Sequence, residues 1–227
     1  RSYLRGPDLC SFPDENANPA EYIAAYHSHP LWLVKGWLNL YGRKETVALC
    51  TADNEMPPLT VRVNPLKSGR RGLTEKLIQA GFQAEETPWS PEGIHIAFAP
   101  LPVQKTVFFA DGLLRIQDEA SQLISYLVNP RKGQKILDVC AGSGGKTTHL
   151  AALMKNEGRM VAMDRNLEKI EQLQNDASRM GIRIIEAIRA DGELPLSSEY
   201  HNQFDAVFVD APCSGTGTLR RNPEIKW

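Results

Sequence analysis

Two stretches of this 227-residue chain carry side chains that do chemistry. The first is Val207-Phe208-Val209-Asp210-Ala211-Pro212-Cys213-Ser214-Gly215-Thr216-Gly217, an apolar run that delivers a carboxylate, a proline and a thiol. Open α/β sheets work at the carboxyl ends of their strands, so Asp210 and Cys213 fall where a reactive group is expected. The second is Ile136-Leu137-Asp138-Val139-Cys140-Ala141-Gly142-Ser143-Gly144-Gly145-Lys146-Thr147-Thr148, an apolar run entering a glycine-rich turn. Together they predict a cofactor turn beside a reactive pocket.

The turn has three readings. A dinucleotide fingerprint needs a glycine where Thr147 stands. A phosphate-binding loop finds its tail in Gly145-Lys146-Thr147, but Cys140 occupies the first required glycine, where a Cβ is disfavoured. The third reading is a turn for S-adenosylmethionine, an acid followed by alternating glycines. The spacing of Asp138, Cys140, Gly142 and Gly144 fits it, with cysteine for the first glycine. Four acids support it. Asp138, Asp164, Asp191 and Asp210 each close or follow an expected strand and so reach one edge of the sheet. Any single aspartate there is commonly a cap or turn residue. A cationic sulfonium with ribose hydroxyls suits an acidic site better than a triphosphate does.

The elements that must hold these residues read as follows. Residues 1 to about 20 are polar and expected to be poorly ordered. A helical pattern covers 20–42, with Tyr22, Ile23 and Tyr26 recurring; Pro30 opens a second helix whose apolar face is Leu31, Val34, Trp37, Leu38 and Tyr41. Residues 43–52 read as a third helix. A small α+β module follows, with strands at 59–64, 82–88 and 93–99 and a helix at 72–80 ended by Gly81. Around that helix Arg62, Lys67, Arg70, Arg71 and Lys76 stand against Glu75, which reads either as a solvated face or as an RNA backbone contact.

From about residue 111 strands and helices alternate. A helix at 118–128 leads to strands at 135–139, 160–164, 182–188 and 204–209. The helix before the third puts Leu167, Ile170, Leu173, Ala177 and Met180 on one face and ends at Gly181. This predicts a parallel sheet with right-handed crossovers, its fourth strand an exposed edge.

Composition excludes several classes. A net charge of −1 gives no global attraction to nucleic acid, so any such contact must be local. The cysteines, Cys10, Cys50, Cys140 and Cys213, have no C-x-x-C spacing, and no acids or thiols complete a site around His27 and His29. Neither a metal site nor a disulfide framework is expected. No apolar run reaches the ~20 residues of a membrane span, and reduced thiols suit a cytoplasmic protein.

With these residues in hand, the chain resembles the RNA cytosine-5 methyltransferases, in the Sun/Fmu (RsmB) branch that modifies small-subunit ribosomal RNA. The likeness covers most of residues 25–227. It rests on Asp210-Ala211-Pro212-Cys213-Ser214-Gly215 above all. His29-Pro30-x-Trp32, Thr60-Val61-Arg62-Val63-Asn64, Gln117-Asp118-Glu119-Ala120-Ser121 and Arg221-Asn222-Pro223-Glu224-Ile225-Lys226-Trp227 add to it. Gly142-Ser143 stands where the family usually has Ala-Pro.

The resemblance implies a Rossmann-like methyltransferase sheet over 113–227, incomplete at four strands, behind an RNA-contacting module over 1–112. It implies that Cys140, Ala141, Gly142, Ser143, Gly144, Gly145, Lys146, Asp164, Asp191 and Asp210 line an S-adenosylmethionine site. Asp210 and Pro212 would hold the target base, and Cys213 would help release product, the nucleophile lying in a Thr-Cys motif expected beyond Trp227. A reading from this sequence alone makes Cys213 the nucleophile instead. RNA contacts are expected at Arg62, Lys67, Arg70, Arg71, Arg220 and Arg221. The chain is expected to be a monomeric fragment, inactive alone; a nucleotide hydrolase or a non-catalytic RNA- or cofactor-binding module is the alternative.

Overall fold

Pro19 follows Asn18 and opens the first helix, α1 (Pro19–Tyr26). Pro30, held at φ −60°, precedes α2 (Leu31–Asp53). The helix expected at 43–52 is the continuation of α2 past a kink at Gly42, where φ is +73°. These coordinates are a computed structural model describing residues 12–227, so Cys10 and most of the segment expected to lack order lie outside the described residues. Two compact units emerge, one running up to Pro57 and including Cys213–Trp227, the other spanning Pro58–Pro212.

In the first unit Ile23, Ala24, Val34 and Cys50 form the core, with Tyr22, Leu31, Trp37, Leu38 and Val47 packed around it. Tyr26 and Tyr41, expected on apolar faces, are instead more than half exposed. His29 is a buried structural histidine. Its Nδ1 lies 2.7 Å from the His27 carbonyl and its Nε2 3.6 Å from Asp53. Two 3₁₀ turns, Thr216–Thr218 and Pro223–Lys226, complete this unit.

The second unit holds two sheets. β1 (Leu59–Val63), α3 (Arg70–Gln79), β2 (Gln83–Glu86), β3 (Gly93–Phe98), α4 (Val107–Ala110) and β4 (Leu114–Ile116) build an antiparallel sheet in the order β2-β3-β1-β4. Val61, Val63, Leu73, Leu77, Phe82, Ile94, Ile96 and Leu114 fill its core. The sequence reading passed over β4. It pairs with β1, opposing Arg62 to Arg115, so residues on both sides of 112 share one sheet.

α5 (Glu119–Val128) then leads to β5 (Lys135–Asp138), α6 (Gly145–Leu153), β6 (Arg159–Asp164), α7 (Leu167–Met180), β7 (Ile185–Arg189) and β8 (Ala206–Phe208). Every pair in this sheet is parallel, in the order β7-β6-β5-β8. The third strand starts later than expected because Ile182, just past the Gly181 cap, packs into the core beneath α7. β8 is an edge, and Val207 and Val209 are exposed. Leu167, placed on the apolar face of α7, is half exposed, whereas Ile170, Leu173, Ala177 and Met180 are buried.

Candidate functional site

β5 ends on Asp138 and α6 begins at Gly145, so the glycine turn is the strand-to-helix connection at the carboxyl edge of the parallel sheet. It is tied to both neighbouring strands. The Val139 amide donates to the Phe208 carbonyl and the Ala141 amide to the Met163 carbonyl, at 3.0 and 2.8 Å. Gly142 and Gly144 have φ of +55° and +82°, which L side chains adopt only with strain.

Asp138 is 1% exposed. Its carboxylate accepts from Thr147 Oγ1 at 2.7 Å and from the Cys140 amide at 3.3 Å. Burial pushes its pKa up to about 6, with nearby Asp210 adding to the rise and the two hydrogen bonds and Lys146 opposing it. Asp164 accepts from the Gly142 amide at 2.9 Å and from the Asn166 amide at 2.8 Å. Asp210 pairs with Lys146 at 2.6 Å. Burial raises the pKa of the Cys140 thiol, and Asp138, Asp164 and Asp210 raise it further. Three of the expected acids thus crowd one thiol and keep it protonated, which disfavours Cys140 as a nucleophile.

Asp191 has a local job, accepting from the Glu193 amide at 3.0 Å. The next residue, Gly192, lies so close to Val139 that an added Cβ would stand 2.4 Å from Cγ1. The segment after β7 therefore abuts the start of the glycine turn. Every one of the four acids has a local partner, so the structural and the functional readings coexist. A carboxylate offers about four acceptor positions, and Asp164 has used two.

The phosphate-loop reading fails on Thr147. That side chain must reach a metal ion in such loops, but here it is buried and donates to Asp138. Lys146 is engaged with Asp210, and the surrounding carboxylates oppose a polyphosphate.

The expected RNA contacts separate. Arg62 is a correction: it is 0% exposed and faces the interior, where no phosphate reaches it. Lys67 donates to the carbonyls of Asp111 and Arg179 at 2.7 and 2.8 Å. Arg70 is held by Glu86 at 2.8 Å and by the Ser90 carbonyl at 2.7 Å. Arg220 binds Glu55 at 3.1 Å and the Met56 carbonyl at 2.9 Å, within the first unit. Arg71 is 89% exposed with an i,i+4 partner in Glu75, and Arg221 is exposed. Pro212 is exposed at the end of the larger unit, and Cys213 is an exposed free thiol in the other.

Two groups escaped the sequence reading. Arg115, on the unrecognised strand β4, donates to the carbonyl and hydroxyl of Ser143 at 3.0 and 3.1 Å. His149 on α6 is fully buried with Nε2 3.5 Å from Glu92, which also accepts from Tyr126. An alternation of three residues was too short to mark β4.

Among the described residues there is no cluster of metal-ligating side chains and no helix long and apolar enough to cross a membrane.

Residues 125–227 match the family described as 16S rRNA methyltransferase RsmB/F, and residues 29–104 match its ferredoxin-like domain. A probable ribosomal RNA small subunit methyltransferase B of Bacillus subtilis is 34% identical over 94% of this chain and 47% of its own length. The ribosomal RNA small subunit methyltransferase B of Salmonella paratyphi B is 35% identical over 88% of this chain and 46% of its own. The chain therefore spans about half the length of the curated relatives it matches. A crystal structure of a protein called PH0851 superposes with a TM-score of 0.88 at 29% identity, covering 96% of this chain and 48% of that one. A methyltransferase homolog from Pyrococcus horikoshii gives 0.76 at 28% identity, over 88% and 64%. The two family matches together take in residues 29–104 and 125–227, and this chain belongs to the RsmB/F methyltransferase family.

Proposed function

We propose that this chain is the cofactor-binding part of an S-adenosylmethionine-dependent enzyme that methylates carbon 5 of cytosine in RNA, with cytoplasmic small-subunit ribosomal RNA as the substrate. The observation that carries the reading is the open, acidic face of the glycine turn. A Cβ added to Gly142 would meet nothing within 4 Å, and the Gly142 amide is fixed by Asp164. A ligand can approach the backbone there, as close contact with a nucleoside requires. The carboxylates of Asp138, Asp164 and Asp210 supply a negative field that disfavours a polyphosphate.

Cys140 to Lys146, with Asp164, Asp191 and Asp210, would hold the cofactor. Asp164 has acceptor capacity left for ribose hydroxyls, and Asp191 stands at the next strand end for the adenine. Bound S-adenosylmethionine supplies an electrophilic methyl group. Asp210, at the end of β8, orients the target base through its ring nitrogen, with Lys146 holding the carboxylate in place. Pro212 shapes the base pocket. Cys213 acts at release of the methylated base, by the family likeness. The base must leave its helix or lie in a single strand to reach these groups.

Calorimetric titration with S-adenosylhomocysteine tests the reading directly. Saturable binding that weakens in Asp164→Ala is expected. Binding of ATP with magnesium, and none of S-adenosylhomocysteine, would overturn it. For the whole enzyme, labelled methyl should appear on carbon 5 of cytosine in ribosomal RNA, and label on adenine would contradict the proposal.

A further inference from the structure

The closed face of the glycine turn is held by a device that none of the comparisons assigns. Gly144 lies against α7, where an added Cβ would stand 2.7 Å from Leu173 Cγ. On either side of Gly144, two arginines of the antiparallel sheet take hold of the turn's backbone. Arg115 donates to the Ser143 carbonyl at 3.0 Å. Arg62 donates to the Gly145 carbonyl at 2.6 Å and to Thr148 Oγ1 at 2.9 Å. The two are cross-strand partners on β1 and β4, so a single rung of that sheet reaches both carbonyls.

Each arginine is itself fixed. Arg62 is fully buried and also donates to Gln117 Oε1. Arg115 is paired with Asp176 on α7, the helix that supplies Leu173. Asp176 in turn binds Arg179 through Nη2 at 2.8 Å, and that guanidinium lies 3.9 Å over the Phe109 ring and donates to the Leu114 carbonyl. Burial lowers the pKa of Arg62 to about 9 and of Arg115 to about 10, so both keep their charge near neutral pH. Two desolvated guanidinium groups side by side repel, and among the described residues no carboxylate pairs with Arg62. A fold that needed only stability could fill this space with apolar side chains. The planar fork of arginine fixes direction as well as contact, and each fork gives one of its nitrogens to a turn carbonyl.

We propose that Arg115 and Arg62 are positioning residues for cofactor binding: the rung they form sets the backbone of Ser143–Gly145 from behind and thereby holds the open face at Gly142 in its binding geometry. The proposal rests on the cofactor reading of the turn. Both act through residues of the turn, Arg115 through Ser143 and Arg62 through Gly145 and Thr148. The antiparallel sheet is then part of the cofactor site as well as a module preceding it.

The test compares Arg115→Gln and Arg115→Lys with the wild-type chain, and uses Arg70→Gln as a control. Arg70 also binds two backbone carbonyls, those of Thr87 and Ser90, and has no assigned contact with the turn. Removal of the buried Arg62 risks the fold, whereas in Arg115→Gln Asp176 keeps Arg179 as its partner. Amide hydrogen exchange at residues 142–146 and calorimetric affinity for S-adenosylhomocysteine are both read. Loss of a charged hydrogen bond to the turn should raise exchange there, and weaken binding, about tenfold. Arg115→Lys should recover part of both, and Arg70→Gln should change neither even where it lowers Tm. Unchanged exchange at 142–146 in Arg115→Gln, or equal changes in Arg70→Gln, would overturn the brace. A wild-type chain that binds no S-adenosylhomocysteine would overturn its cofactor role and the proposed function with it, while exchange alone would still decide whether the turn is braced.

Discussion

The glycine turn has an acidic face and a basic one. Toward the edge of the parallel sheet it meets Asp138, Asp164 and Asp210, and Gly142 is open there. Toward the antiparallel sheet it meets Arg62 and Arg115, and Gly144 is closed against Leu173. The same few residues therefore present an accessible surface to a ligand and a filled, directional contact to the scaffold. What separates the two glycines is neither type nor φ, which is positive at both, but what stands behind them.

The largest effect should come from treating the two glycines alike. Gly144→Val must adopt a strained backbone and displace Leu173, at about 4 kcal/mol. Gly142→Val meets only the backbone strain, about 2 kcal/mol. Thermal unfolding should rank them in that order, and calorimetry should find Gly142→Val the worse in cofactor affinity relative to its stability loss. Equal unfolding penalties would mean the closed face is not closed.

Next is pH, where the two sides of the turn act in opposite directions. His149 on α6 is held near 4 by burial, below its ordinary 6.5, so the unfolded chain takes up a proton first and stability is lost as pH falls from 6.5 to 4. Asp138 is held near 6, above its ordinary 3.8, so its contribution is present in acid and lost as pH rises through 6. Each amounts to about 3 kcal/mol, and they oppose one another between pH 4 and 6. Glu92 has its pKa lowered overall, hydrogen bonds from His149 and Tyr126 outweighing its burial, so it adds an acid loss only below its ordinary 4.5. Denaturant unfolding of His149→Phe should therefore show stability rising as pH drops from 6 toward 4.5. Asp138→Asn should show it falling over the same window. Parallel slopes in the two variants would contradict the assignment.

Asp164→Asn is expected to cost about tenfold in S-adenosylhomocysteine affinity, the worth of one good hydrogen bond, with a smaller change in Tm. The least effect is predicted at Arg71, which is exposed and pairs along its own helix with Glu75. Arg71→Ala should alter stability by less than about 0.5 kcal/mol. If Arg71 meets an RNA phosphate, the slope of log affinity against log salt should fall by about 1.

The acidic face was legible in the sequence and the basic face was not, for a physical reason. Asp138, Asp164 and Asp210 each end an apolar run, and strand ends share an edge in any parallel sheet, so one-dimensional spacing predicts their gathering. Arg62 sits in a strand of alternating pattern, and because arginine is rarely buried unless paired, the sequence points to a solvated face or an RNA contact for it. Two of its partners are the carbonyl of Gly145 and the hydroxyl of Thr148, more than eighty residues away, and nothing local announces them. Arg115 was missed because Leu114–Ile116 is a three-residue strand whose identity comes from pairing with β1. The same limit explains Tyr26 and Tyr41: helical spacing found a face but not what covers it.

The most direct test of the central claim, that the open face of the turn seats S-adenosylmethionine, is one calorimetric competition. S-adenosylhomocysteine is titrated into the chain alone and again in the presence of excess ATP and magnesium. The account predicts one saturable site, unaffected by ATP and weakened by Asp164→Asn. Displacement by ATP, or binding that Lys146→Ala abolishes and Asp164→Asn leaves intact, would contradict it.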